Sequence, residues 1–205
     1  MPPAGPRPGP LPVAAAPSPV NAANALTVLR LLLVPAFVLL LVTGGTLARI
    51  SAFGVFAVAS VTDLLDGRIA RRRGLVTDFG KIADPIADKA LTGAALLTLS
   101  AQGVLAWWVT GLILARELGV TLLRFWVIHH GVIAASRGGK LKTMLQVIAI
   151  AAYVLPGPPE VVRSGVMALA VLVTVVTGAD YVARAVRLRR LGRPVAGRGQ
   201  PGSGR

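Results

Sequence analysis

The chain has 205 residues, 54% of them hydrophobic, and a mean hydropathy of +0.70, values that exclude an ordinary soluble domain. Lys and Arg outnumber Asp and Glu by 22 to 8, giving a net charge of +14; the basic residues flank apolar spans with few aromatics between them, which argues against a nucleic acid partner. There is no cysteine, so disulfides and thiolate metal sites are excluded.

Residues 1–20 are proline-rich and nearly uncharged, and this composition predicts a disordered tail. The tail lacks the charged-then-apolar layout of a signal peptide. Residues 21–190 read as one transmembrane domain, and residues 191–205 as a second, basic disordered tail. Within the domain, a first span is expected over 26–43, with Arg30 near its start and Pro35 inside, broken by Gly44-Gly45. A second is expected over 50–70, followed by the basic connector Arg71-Arg72-Arg73-Gly74. A third runs over 79–99. A fourth covers 105–128 and contains Arg116, Glu117 and Arg124. Residues 129–142 are expected to form a polar, basic loop. A fifth span over 143–155 ends at Pro156-Gly157-Pro158-Pro159, and a sixth covers 161–184. The expected fold is therefore all-α, a polytopic bundle of six transmembrane helices.

With six spans, both termini lie on one side, and the loops sort by charge. One side receives Arg7, the arginines at 68 and 71–73, Arg137, Lys140 and Lys142, and the C-terminal cluster from Arg184; the other receives only Arg49 and Arg163. Positive loops face the cytoplasm. Trp107, Trp108 and Trp126 stand near span ends, as interfacial anchors do. His129 and His130 read as an interfacial pair rather than metal ligands.

Against this background one stretch carries the chemistry. Asp63 and Asp66 are i, i+3 neighbours at the cytoplasmic end of the second span. Asp84 and Asp88 are i, i+4 neighbours at the start of the third. A lone carboxylate beside hydrocarbon is most often a structural partner for a cation, here Lys81 or Lys89. Four at this spacing repel one another unless protons or cations intervene, and all-oxygen ligands suit hard divalent ions such as magnesium, manganese or calcium. Two such ions form a clamp for in-line phosphoryl displacement. The metal site would open to the cytoplasm. Gly67, Ala70, Gly80 and Ala87 keep the same helix faces small, and Arg71 suits a phosphate oxygen.

The pattern D-x2-D-G-x2-A-R-x8-G-x3-D-x3-D is met by Asp63, Asp66, Gly67, Ala70, Arg71, Gly80, Asp84 and Asp88. It resembles the signature of the CDP-alcohol phosphatidyltransferase family. The resemblance extends to the leading segment from Asn24 to Arg30 with Pro35. Asp84-Pro85-Ile86-Ala87-Asp88-Lys89, Arg116-Glu117, and Gly139-Lys140-Leu141-Lys142-Thr143 with Gln146 resemble the bacterial branch that uses glycerol 3-phosphate.

The resemblance implies transfer of a phosphatidyl group from CDP-diacylglycerol to sn-glycerol 3-phosphate, with release of CMP, by a homodimer in the bacterial cell membrane. Two cofactor ions, Mg2+ or Mn2+, are implied. Asp63 and Asp84 would bind both, Asp66 the first and Asp88 the second, with Asp88 also accepting the proton of the attacking hydroxyl. Gly67, Arg71, Thr77 and Gly80 would contact the CDP-diacylglycerol, with Asn24 and Thr27 completing the pocket. An anionic acceptor needs cations away from the nucleotide, for which Arg116, Arg124, Arg137, Lys140 and Lys142 are candidates. The alternatives are that Arg137, Lys140 and Lys142 only touch anionic headgroups, and that Arg116 pairs with Glu117 or Asp180. Inositol phosphate or phosphatidylglycerol are the other acceptors considered, and a cation transporter is the reading from another class.

Overall fold

A computed structural model describes the backbone over residues 22–73, 78–127 and 137–191, and side chains over 25–62, 86–87, 89–123 and 139–187. Every regular element among the described residues is a helix. In chain order they are α1 (Ala22–Thr43), α2 (Thr46–Arg73), α3 (Asp78–Ala101), α4 (Trp107–Val127), α5 (Arg137–Val154) and α6 (Glu160–Leu191).

Local chemistry sets the ends of these helices. At the end of α1, Thr43 Oγ1 donates to the carbonyls of Leu39 and Leu40 at 2.8 and 2.9 Å. Gly44 and Gly45 then take φ of 73° and 79°, a conformation that costs side-chain-bearing residues dearly, and the chain reverses at once into α2. Pro35 sits inside α1 without ending it. Beyond α3, Gly103 at φ 71° lets its own N–H and that of Val104 return to the carbonyls of Ser100 and Leu99.

The core follows from which faces meet. α1 packs on α2 and α3, and α6 on α4 and α5. Phe37 and Leu41 of α1 lie against Ala52, Phe56 and Ala59 of α2, with the rings of Phe37 and Phe56 centred 5.6 Å apart at 42°. Alanines at 52, 59, 95, 149 and 170 are buried and allow close backbone approach. Polar contacts also cross between elements here: Ser100 and Thr110 hydroxyls share a 2.7 Å hydrogen bond, Thr110 Oγ1 lies 3.3 Å from Leu96 O, and Gln102 Nε2 donates to Leu41 O at 2.7 Å. At one end of the bundle, Arg49 of α2 donates through Nη2 to Tyr153 O at 2.9 Å and through Nε to Val154 O at 3.3 Å. Arg163 of α6 lies 5.7 Å from the centre of the Tyr153 ring. The two arginines that the charge pattern assigned to one side thus converge on one residue.

The outside is hydrocarbon. Leu32, Leu39, Leu47, Leu122 and Val161 are all more than 60% exposed, and each of the six helices carries large apolar side chains on its outer surface. Segments Ala25–Thr43 and Glu160–Arg187 are long and apolar enough to cross a membrane; Thr46–Thr62 and Lys89–Ala101 are shorter apolar stretches. Trp107 and Trp108 are exposed at the start of α4.

Two expectations about connections are corrected. Arg71, Arg72 and Arg73 belong to the last turn of α2 rather than to a connector, which leaves residues 74–77 to join α2 and α3. The basic loop does not reach residue 142, because α5 begins at Arg137 and carries Gly138-Gly139 within its first turn. Lys142 and Gln146, further along α5, are buried, and tertiary packing of this kind can offset the weak helix propensity of glycine. His129, His130 and Thr77 lie outside the described residues, as do both tails.

Candidate active site

Asp63 and Asp66 fall in the last turns of α2, and Asp84 and Asp88 in the first turns of α3. The helical backbone keeps the i, i+3 and i, i+4 relations that bring each pair to one helix face. Gly67 and Arg71 belong to the same end of α2, and Gly80 to the same end of α3. The side chains of all these residues, and of Asn24, Arg124 and Arg137, lie outside the described set. Among the described residues no three acidic or histidine side chains gather.

The helix packed on both carries a buried polar face. Thr27 and Arg30 of α1 are each 1% exposed, one turn apart and in line with the core residues Phe37 and Leu41. A guanidinium taken so far from water requires partners or a ligand to offset its desolvation. Thr27 was named as a candidate; Arg30, read as a residue near a span start and within the family-like leading segment, was given no site role. Its signal is the i, i+3 spacing to Thr27.

A second polar cluster joins α3, α4, α5 and α6. Glu117 is its centre: its Oε1 accepts from Arg116 Nη1 at 3.0 Å and from Lys142 Nζ. Arg116 Nη2 reaches Thr177 Oγ1 of α6 at 3.3 Å. Its Cγ passes 3.2 Å from where a Cβ on Gly178 would stand, so the glycine lets Arg116 lie close to α6. Thr121, one turn beyond Glu117, donates to the Glu117 carbonyl at 2.8 Å and accepts from Lys89 Nζ. Lys89 directly follows Asp88.

Beside this cluster is a cavity of about 150 Å³ bounded by α3, α4 and α5. Its polar lining is Lys89, Thr92, Glu117, Lys142, Thr143 and Gln146. Thr92 is one turn along α3 from Asp88. Lys142 and Gln146 are 3% exposed and one turn apart on α5. Of the five cations expected to serve an acceptor phosphate, Lys142 lines the cavity. Lys140 is exposed. Arg116 is directed to Glu117 and Thr177, in keeping with the alternative that it pairs with Glu117, while Asp180 pairs with Arg184 at 3.0 Å. Sequence reasoning did not single out Glu117, Thr92 or Gln146 as site residues. The i, i+4 spacing of Lys142 and Gln146 is the signal that would have found the last, once α5 is started at Arg137.

The described helices thus carry two aspartate pairs on the adjoining ends of α2 and α3 and a cavity lined by Lys89, Glu117 and Lys142 among α3, α4 and α5. The family model described as CDP-alcohol phosphatidyltransferase matches residues 20–176, and the chain belongs to that family of enzymes. It is 57% identical over 172 residues to a probable phosphatidylglycerophosphate synthase of Mycobacterium tuberculosis, covering 82% of each chain. It is 36% identical over 182 residues to a CDP-diacylglycerol–glycerol-3-phosphate 3-phosphatidyltransferase of Bacillus subtilis, covering 80% of this chain and 94% of that one. The protein of the same name from Escherichia coli is 38% identical over 137 residues, covering 64% and 75%.

Proposed function

We propose that this protein transfers the phosphatidyl group of CDP-diacylglycerol to sn-glycerol 3-phosphate, forming phosphatidylglycerophosphate and CMP. The family match and the relatives' names support the reaction class and the acceptor. The observation that carries the reading is the placement of Asp63, Asp66, Asp84 and Asp88 on the adjoining ends of two consecutive helices, separated by residues 74–77.

In this reading the acceptor hydroxyl oxygen bonds to the lipid-bearing phosphorus while the bond from that phosphorus to the oxygen of CMP breaks. The hydroxyl proton passes to Asp88. Lys142, held by Glu117, supports the acceptor phosphate, and Arg71 supports the diphosphate. Thr27 and Asn24 on α1, with Gly67, Thr77 and Gly80, complete the nucleotide pocket. An all-carboxylate donor set on two helix ends fits two hard divalent ions, held by the four aspartates. When bound, Mg2+ or Mn2+ would neutralise the diphosphate and the charge on the leaving CMP.

The apolar exterior and the convergence of Arg49 and Arg163 at one end support six spans with the aspartates at the cytoplasmic side of a bacterial plasma membrane. A homodimer follows from family resemblance. The test uses purified protein in detergent with labelled CDP-diacylglycerol and a panel of glycerol 3-phosphate, inositol phosphate and phosphatidylglycerol, each with Mg2+, Mn2+ or chelator. CMP release with glycerol 3-phosphate, abolished by chelator, is expected. A product with another acceptor alone would reassign the substrate, and no CMP release with any acceptor would remove the reading.

A further inference from the structure

Two polar contacts pin α3 to α4, and they stand in register. At the end away from the aspartates, the buried hydroxyls of Ser100 and Thr110 share a 2.7 Å hydrogen bond. At the end of α3 that carries Asp84 and Asp88, Lys89 Nζ donates to Thr121 Oγ1. Lys89 precedes Ser100 by eleven residues, and Thr121 follows Thr110 by eleven. Eleven residues are three helical turns to within about 20°. On each helix both pins therefore fall on one face, roughly 16 Å apart. Between them, a Cβ on Gly93 would meet Leu114 Cδ2 at 3.7 Å. The two helices thus meet along one antiparallel seam.

The two pins differ in their surroundings. Ser100 and Thr110 lie in stretches where Leu96, Leu99 and Ile113 are fully buried, so apolar packing also holds the helices there. Lys89 stands at the cavity bounded by α3, α4 and α5, and side chains beside a void lack partner atoms on that side. A polar tether matters more at such a place. The Thr121 hydroxyl is itself oriented, because it donates to the Glu117 carbonyl at 2.8 Å and so turns its lone pairs to the ammonium. The Glu117 side chain holds Lys142 of α5. One turn of α4 therefore ties a lysine of α3 and a lysine of α5 to the same short segment. We propose that Thr121 is a positioning residue for the transfer: through Lys89 it fixes the register of the first turns of α3, and so of Asp88, against Lys142. This rests on the roles given above to Asp88 and Lys142. Thr121 is not among the residues lining the cavity, so its effect passes through Lys89.

The experiment compares the unaltered full chain with Thr121→Val, which keeps the side chain's shape and removes the acceptor, Thr121→Ser, which keeps the hydroxyl, and Thr110→Val, which removes the far pin. In Thr121→Val, kcat with glycerol 3-phosphate should fall by about tenfold or more, as small misplacements of reacting groups do, with KM for both substrates unchanged. Thr121→Ser should recover most of the rate. Thr110→Val should lower the unfolding temperature and leave kcat as it was. Because the chain has no cysteine, spin labels on Ile86→Cys and Leu122→Cys, exposed positions at the site end of α3 and α4, read the register without turnover. Their distance distribution should broaden or shift in Thr121→Val and return in Thr121→Ser. An unchanged kcat or an unchanged label distance in Thr121→Val would overturn the proposal. An equal kcat loss in Thr110→Val, no recovery in Thr121→Ser, or failure of Thr121→Val to fold would each make Thr121 a packing residue and overturn it too. Absence of transfer by the unaltered protein would overturn the proposed function and this role with it; that result is distinct from failure of the inference alone, in which the unaltered protein transfers and Thr121→Val matches it.

Discussion

At the C-terminal end of α5, cations and helix end serve one another. Arg49 donates to the carbonyls of Tyr153 and Val154, and Arg163, whose Nε has no hydrogen-bond partner among the described residues, rests over the Tyr153 ring instead. About two turns earlier on the same helix, Gln146 is buried too, and it lines a cavity together with Lys142. The first end has the character of a structural clasp, with a cation stationed at a helix C-terminus where the carbonyls lack intrahelical partners. The second has the character of a site, where buried polar side chains border a cavity. The contrast teaches that buried polarity alone does not identify function in this bundle. What distinguishes the two places is a cavity bordered by the buried polar side chains.

The comparison breaks most readily at the aspartates. Asp88→Asn keeps a side chain of the same shape and removes the proton acceptor, so kcat should fall by about a hundredfold or more while the helical circular dichroism spectrum and unfolding temperature hold. A loss of folded protein with that change would instead make Asp88 a structural ion-pair partner. Next in size is Glu117. Among the described residues it is the carboxylate that pairs with both Lys142 and Arg116, whose side chains are 4% and 17% exposed. Glu117→Gln takes the counter-charge from both cations in poorly hydrated surroundings and should lower stability by about 3 kcal/mol, seen in thermal unfolding in detergent. Combining it with Lys142→Met removes the buried ammonium as well. The double variant should regain much of the stability but not the acceptor kcat/KM. Recovery of both would show that Lys142 serves the fold alone.

Much of this was legible from residue order. Gly44-Gly45 and the Pro156-Gly157-Pro158-Pro159 run punctuate the apolar stretches, so the six helices and most of their bounds followed from hydropathy and turn chemistry. The aspartate pairs were legible because carboxylates set at helical spacing against hydrocarbon are costly unless a cation meets them. The start of α5 was not, since Arg137-Gly138-Gly139-Lys140 has the composition of a loop yet forms the first turn of the helix. Glu117 was legible as a possible partner of Arg116, but not as the residue joining α4 to α5, because Lys142 lies 25 positions away and only the fold brings them together. Arg30 and Gln146 were named as positions of the family resemblance but given no site role, for the same reason. Periodicity reports which side of a helix is apolar, and a single buried polar residue on that side looks like noise until its neighbours are known.

The smaller effects test the clasp and its surroundings. Arg49→Met retains the aliphatic stem and removes two charge-assisted hydrogen bonds to the end of α5, so it should cost about 2 kcal/mol of stability and leave kcat and both KM values unchanged. An altered acceptor KM would mean that the two ends of α5 are coupled and that clasp and site are not independent. Arg184→Ala should do least. Arg184 and Asp180 form an i, i+4 pair on α6 with side chains 56% and 47% exposed, and exposed helix pairs of this kind contribute about 0.3–0.5 kcal/mol. The substitution releases Asp180, the second carboxylate considered for Arg116. Arg116 already engages Glu117 and Thr177 through both Nη atoms, leaving only a buried Nε without a partner among the described residues, so the freed carboxylate on an exposed face should leave unfolding temperature, kcat and acceptor KM at their starting values. A marked change in acceptor KM would mean that the exposed end of α6 contributes to the site, and that the cavity among α3, α4 and α5 is not what sets the site apart from the rest of the bundle.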